Sequence, residues 1–505
     1  MSIGRTQSLA LQGLIGEVID VEVDIADGIP SYTLLGLPDT SLQESRDRVR
    51  AALVNTGQKW PNRKVTVSLS PAWMPKSGPS FDLAIALGIL IAEGVMPQAI
   101  VEGVLVLGEL SLEGKIRPVR GVLPALIAAY KSGITTAIIP RANSTEAKLL
   151  PQMQIYGFDS LAEIFRWVNT GELLIDSPLE IAVDVTSQEL DFEDVAGQSR
   201  ARFAAEVAAS GGHHLLLIGP PGAGKTMIAS RIPSILPELT ADEALEVTAI
   251  HSVAGGLTKR SPMSKVAPIV TPHHTASRTA IVGGGNRAIT PGAISIAHRG
   301  VLFIDEAPEC ATGILDSLRQ PLETGTITIA RQVGSATFPA KFLLVLAANP
   351  CPCGKYTGKG RGCTCSSLQV RRYLGKLSGP LLDRIDIRVE VEPVSRVELA
   401  AEKLGESSRD MRARVLKARQ RAALRFESEF WKLNSEIPAP ALRTKYRPER
   451  SAMNFLHDEL DRELITARGL HKIIRLAWTL ADLNDHGIPS LEDVQRAHTL
   501  RGEMG

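Results

Sequence analysis

Gly219-Pro220-Pro221-Gly222-Ala223-Gly224-Lys225-Thr226 follows the apolar run Leu215-Leu-Leu-Ile218 and opens a helical stretch, Met227–Ile235. A strand, a glycine-rich turn and a helix in that order predict a loop that wraps phosphate. Glycines let backbone N–H groups turn inward, and the helix adds the positive end of its dipole. The whole segment from Gly219 to Thr226 is assigned to the nucleotide. Lys225 is expected to reach the β- and γ-phosphates, and Thr226 to hold Mg²⁺. The substrate this implies is ATP.

Three further stretches extend the site. Val301-Leu-Phe-Ile304 runs into Asp305 and Glu306. An acid at the C-terminal end of a buried strand can face the metal, and its neighbour can polarise the attacking water. Asp305 is assigned to Mg²⁺ and Glu306 to the water. Asn349 ends the run Phe342–Ala347, where its side chain can contact the γ-phosphate or the water; a turn residue before Pro350 is the alternative. Arg384, within Ser378–Asp386, is a candidate arginine finger; an ion pair with Asp383 or Asp386 is the alternative. A finger supplied by a neighbouring chain would make every site a subunit interface.

The rest of the chain fits three units. Residues 1–175 read as an α/β domain, with a period-2 strand over Lys64–Ser70, a buried helix over Phe81–Glu93, short strands at Val104–Leu107 and Ala137–Pro140, and a helix over Gly121–Ser132. Residues 176–190 read as a linker. Residues 191–392 alternate continuous apolar strands with helices, the pattern of a parallel sheet covered on both faces. Residues 393–505 carry helical periodicity alone. The fold class is therefore α/β, with a helical C-terminal region. The longest apolar run, around Leu83–Ile91, is too short to span a bilayer, and no signal-peptide core is seen at the N-terminus. A cytoplasmic protein is expected.

The motif series resembles that of the magnesium-chelatase-like AAA+ ATPases of the YifB/ComM type. It comprises Asp194-Val-Ala-Gly-Gln198, the phosphate loop, Thr271-Pro-His-His-Thr275, Gly283-Gly-Gly285, Pro291–Gly300, Asn349-Pro-Cys-Pro-Cys353 and Ser378–Asp386. Ala293 stands where that family usually has Glu. The resemblance implies a hexameric ring ATPase acting on DNA, a helicase promoting branch migration during recombination. It also implies that Arg468, in Thr466-Ala-Arg468-Gly469, is the sensor-2 arginine. The alternatives are a magnesium-chelatase ATPase subunit, from which the N-terminal domain and the cysteines are expected to set the chain apart, and a protein-remodelling ATPase.

Residues 1–175 resemble the proteolytic domain of Lon. Pro75–Ser80 places Ser80 at the nucleophile position, and Gly108–Gly114, Pro118–Gly121 and Ala137–Pro140 continue the match. Lon's catalytic lysine follows the glycine matched by Gly121, but Val122-Leu-Pro-Ala-Leu126 holds no base. A Ser–Lys dyad needs that base, so no peptidase activity is expected unless Lys76 or Lys131 reaches Ser80.

Charge supports a nucleic-acid partner independently. The whole chain is nearly neutral, at +1, yet residues 247–382 hold fifteen Lys or Arg against five acids. Such a field suits a polyphosphate backbone. Aromatics make up only 4% of the chain, which argues against a stacking platform for bases. The loop Gly283–Arg287 and the segment Arg331–Lys341 are candidate pore elements. A second basic stretch, Arg409–Arg425, reads as a solvated helix face. Finally, Cys351, Cys353, Cys363 and Cys365 form two Cys-x-Cys pairs within an insertion at 351–365. Four thiolates on a short loop can close a tetrahedral Zn²⁺ site; reversible disulfides and free thiols are the alternatives.

Overall fold

The structure is a computed structural model. It describes residues 3–171, 190–255, 263–285, 289–311, 313–331, 334–356, 362–394 and 405–502. The stretch read as a linker falls almost wholly outside these residues, as does Arg287.

The N-terminal α/β fold is a mixed seven-stranded sheet. Its strands are β1 (Gly4–Gln12), β2 (Ile15–Ala26), β3 (Ser31–Leu35), β4 (Lys64–Ser70), β5 (Val104–Val106), β6 (Thr136–Pro140) and β7 (Gln154–Phe158), in the order β3-β4-β2-β1-β5-β6-β7. Every second residue of β2, from Ile19 through Ile25, points into a core capped by the helix Asp82–Ala92, which is buried on all sides. That all-round burial explains why its sequence is apolar at almost every position instead of striped.

The second sheet is fully parallel: β8 (Leu215–Ile218), β9 (Ile269–Val270), β10 (Val301–Ile304), β13 (Leu343–Ala348) and β14 (Ile387–Glu390), in the order β9-β10-β13-β8-β14. Between β10 and β13 lies an antiparallel hairpin of β11 (Thr326–Arg331) and β12 (Gly334–Pro339). Alternate strand residues feed two separate cores. Leu215, Leu217, Val301, Phe303, Val345 and Ala347 pack with the helix Ser199–Gly211 and the C-terminal helices. Leu216, Leu302, Ile304, Leu344 and Leu346 pack with the hairpin on the other face. Both faces are covered, which is why these strands read as unbroken apolar runs.

The C-terminal helices Ser408–Arg425, Arg450–Asp461, Ala467–Asn484 and Leu491–Arg501 close the first of these cores. The basic stretch predicted as a solvated face is exposed at Arg409 and Lys417, but most of its arginines are bonded into this packing. Arg414 binds Glu206 and Glu406, Arg425 binds Asp482, and Arg419 donates to the Ala209 carbonyl at 2.9 Å. Its arginines answer buried acids and helix-end carbonyls on neighbouring elements, partners that helical spacing alone does not reveal.

The N-terminal fold docks on the second through the helix Ala241–Ala254. The Ser252 hydroxyl donates to the buried Glu146 carboxylate at 2.6 Å, and the Gly121 N–H donates to the Ser252 carbonyl at 3.2 Å. Burial raises the Glu146 carboxyl above its ordinary value even against the hydrogen bonds from Ser252 and Asn143. None of the helices among the described residues is long and apolar enough to cross a membrane.

Candidate functional site

The phosphate loop sits at the C-terminal end of β8, the edge at which parallel α/β sheets bind ligands. Its glycines are required for two different reasons. Gly222 and Gly224 have φ of +78° and +93°, with open space where a side chain would go. Gly219 instead lies flat against the end of β14, where a Cβ would come within 2.2 Å of the Val391 carbonyl oxygen. The first pair turns the loop; the last allows close backbone approach.

Lys225, Thr226, Asp305 and Asn349 come together at this edge. The Lys225 ammonium donates to the Gly219 carbonyl at 2.6 Å, the Pro220 carbonyl at 2.9 Å and Asn349 Oδ1 at 3.1 Å. Burial lowers the Lys225 pKa, with Asp305 and Glu306 opposing the shift. The Thr226 hydroxyl donates to Asp305 Oδ2 at 2.7 Å, so the two residues expected to share Mg²⁺ are adjacent. Asp305 Oδ1 accepts the Glu306 N–H at 2.8 Å. Glu306 itself has φ of +49°, a left-handed conformation uncommon for this residue. Its carboxylate lies 3.1 Å from His274 Nδ1.

Two residues of this edge escaped the sequence reading. His274 was quoted only within the motif Thr271–Thr275; its contact with Glu306 joins positions 32 apart, in the turns that follow β9 and β10. Gln198 was quoted as a motif residue without a role. Its amide donates to the Ala223 carbonyl at 2.9 Å and the Glu392 carbonyl at 2.6 Å, tying the phosphate loop to the chain beyond β14.

Arg384 and Arg468 are not brought to this edge. Asp386 N donates to the His214 carbonyl at the start of β8, so Arg384 lies at the N-terminal edge of the sheet. The four residues of β8, five residue steps in all, separate His214 from Gly219, about 16 Å at roughly 3.3 Å per step. Arg384 pairs with Glu323 and donates to the Pro380 carbonyl at 2.6 Å, not with the neighbouring acids considered from sequence. Asp383 is bound by Arg468 at 2.8 Å and Asp386 by Lys472 at 2.7 Å. Arg384 faces a cavity of about 810 Å³ together with Arg299 and Lys341. Lys341, expected near a pore, therefore lies beside the candidate finger.

The four cysteine sulfurs lie within 4.8 Å of one another. Cys351–Cys353 is 3.3 Å, and both Cys351–Cys363 and Cys353–Cys363 are 3.6 Å. A tetrahedron with metal–sulfur bonds of about 2.3 Å has edges of about 3.8 Å. The donor set and its spacing thus fit Zn²⁺. The Lys355 backbone N–H, followed by Cys351, draws the Cys353 thiol down to about 6.

In the N-terminal fold, the Lys76 ammonium is bonded to the Leu69 carbonyl at 3.0 Å and to that of Pro71. Lys131 lies at the exposed end of the helix Val122–Lys131. Among the described residues, neither lysine is hydrogen-bonded to Ser80.

A parallel sheet in this order, with a phosphate loop after β8 and paired acids after β10, defines an AAA+ ATPase of the magnesium-chelatase type. Residues 191–399 match the family model described as magnesium chelatase, subunit ChlI; residues 405–501 match its C-terminal model. Residues 21–143 match a model described as subunit ChlI of Mg-chelatase.

Three relatives match over nearly their full lengths. An uncharacterized protein of Mycobacterium tuberculosis is 47% identical over 99% of both chains. Competence protein ComM of Haemophilus influenzae is 39% identical, covering 96% of this chain and 94% of its own. YifB of Escherichia coli is 38% identical, covering 99% and 97%. The chain belongs to the YifB/ComM family of magnesium-chelatase-like AAA+ proteins. Its N-terminal domain is Lon-like: Lon protease 2 of Herpetosiphon aurantiacus is 29% identical over 27% of this chain.

Proposed function

We propose that the chain is a hexameric ATP-hydrolysing ring motor that acts on DNA and promotes branch migration, with 1–175, 191–392 and 393–505 as its three units. The observation that carries the ring is the division of the expected catalytic set between opposite edges of one sheet. Lys225 and the Gly219–Thr226 loop bind the phosphates, Thr226 and Asp305 hold Mg²⁺, Glu306 polarises the water, and Asn349 orients it. Arg384 and Arg468 act on the site of a neighbouring subunit.

DNA is favoured by charge. Among the described residues, Arg278, Arg331, Lys355, Arg371 and Arg372 are exposed and have no carboxylate partner. Exposed cations without acidic partners suit a polyanion. The family membership, with a competence protein among the relatives, points the same way. Turnover that rises with added DNA supports the proposal; turnover indifferent to DNA favours a chelatase-type or protein-remodelling ATPase.

Zn²⁺ is proposed as the occupant of the four cysteines. Four protein ligands leave no open position, so its role is structural.

Glu323 bears on the same reading. It holds Arg384 within the subunit and lies in the last turn of the helix Arg319–Thr324, which leads into β11. Glu323→Gln weakens this clamp and is expected to raise DNA-free turnover severalfold, while lowering the ratio of DNA-stimulated to basal rate. A steady-state ATPase assay checks it; a fall in both rates would mean that Glu323 positions Arg384 productively.

A further inference from the structure

We infer that the four-cysteine knuckle is a metal-held buttress of the phosphate loop, so that metal loading sets nucleotide affinity. The inference rests on the proposed Zn²⁺ site and adds to it a coupling between two sites.

Two contacts join the knuckle to the nucleotide edge. The first runs along the chain. Asn349 Oδ1 accepts from the Lys225 ammonium, and two residues later the buried Cys351 opens the knuckle. The second runs through space. The turn Cys351–Gly354 is closed by the Gly354 N–H donating to the Cys351 carbonyl at 2.9 Å. Gly354 has φ of +73°, and a Cβ there would lie 2.5 Å from Pro221 Cδ and 2.7 Å from its Cγ. No side chain fits between this turn and the second proline of the phosphate loop. The preceding residue, Pro220, supplies one of the carbonyls that hold Lys225. The knuckle thus abuts the loop at one point and its lysine at another.

Among the described residues, little else orders the knuckle. Between the end of β13 at Ala348 and the helix Ser367–Leu374, the described residues form no helix or strand. A segment without a backbone ladder takes its shape from side-chain bonds, and here the group able to make four at once is a metal on Cys351, Cys353, Cys363 and Cys365. With the metal bound, the Cys351–Gly354 turn is fixed against Pro221. Without it, the turn is free to move, and Pro221 and Asn349 lose their support. Ordering the loop then falls to the nucleotide, which lowers its affinity.

The test uses the full-length protein, with zinc measured by mass spectrometry and affinity by titration of a fluorescent non-hydrolysable ATP analogue at fixed Mg²⁺. Stripping with chelator and reductant, followed by removal of the chelator, is expected to weaken analogue binding by about tenfold, and added Zn²⁺ to restore it. Gly354→Ala crowds Pro221 without removing a ligand. It is expected to keep one zinc per chain and to bind the analogue severalfold more weakly, which separates the contact from any wider effect of stripping. Zinc-free protein, or zinc-loaded Gly354→Ala, binding as tightly as the loaded parent would overturn the coupling. A chain that neither carries nor takes up zinc would instead remove the metal reading on which it rests.

Discussion

Glu306→Gln is expected to bind ATP as the parent does and to hydrolyse it at least about a hundredfold more slowly, since a positioned general base contributes about 10²–10⁴ in rate. Two features make this variant informative. Glutamine keeps the shape of glutamate and can still bond His274, so the left-handed turn at Glu306 is left in place. It also leaves untouched the Thr226–Asp305 contact, the proposed Mg²⁺ site. Loss of turnover with unchanged affinity assigns Glu306 to the chemical step. Equal losses in both would assign it to the fold of the edge, and unchanged turnover would move the base elsewhere. A pre-steady-state burst measured beside analogue affinity separates these outcomes.

Arg384→Ala is expected to lose about 10³–10⁵ in turnover, the scale of an arginine finger on a transferring phosphoryl group. Its more telling behaviour is in mixtures. Arg384 lies at the start of the strands and the phosphate loop at their end, so one chain cannot supply both to the same ATP. An Arg384→Ala subunit retains an intact pocket, and a Glu306→Gln subunit retains an intact arginine. Mixed and reassembled, these two inactive variants should regain turnover at interfaces where one completes the other. If both residues served the same chain, every mixture would stay as inactive as its parts. The pair Arg384–Glu323 must open for this to happen, since Glu323 occupies the guanidinium within the subunit.

Much of the nucleotide edge was legible because its chemistry is local. Gly219–Thr226 and Asp305–Glu306 are contiguous segments that follow strands marked by unbroken apolar runs, and a parallel sheet brings strand ends to one edge whatever the loop lengths. Asn349 was found by the same logic, at the end of β13. What escaped reading depends on contacts between distant positions. The partner of Arg384 is not Asp383 or Asp386, two residues that helical and turn geometry place nearby, but Glu323, 61 positions away. The partner of Glu306 is His274, in the turn beyond β9, a strand whose neighbour in the sheet only topology fixes. Arg409–Arg425 looked solvated because its acids and carbonyls lie on the helices Ser199–Gly211 and Ala467–Asn484. The tight fit of Gly354 on Pro221 follows from a positive φ and a close approach across about 130 residues, and no pattern in either segment announces it.

The proposal that a nucleic acid stimulates this ATPase is tested most directly by ATP turnover with and without forked DNA across a salt series. Phosphate contacts made by unpaired cations predict stimulation by DNA at low salt that falls steeply as salt rises, while the DNA-free rate changes little. Turnover that is the same with and without DNA at every salt concentration would contradict the account.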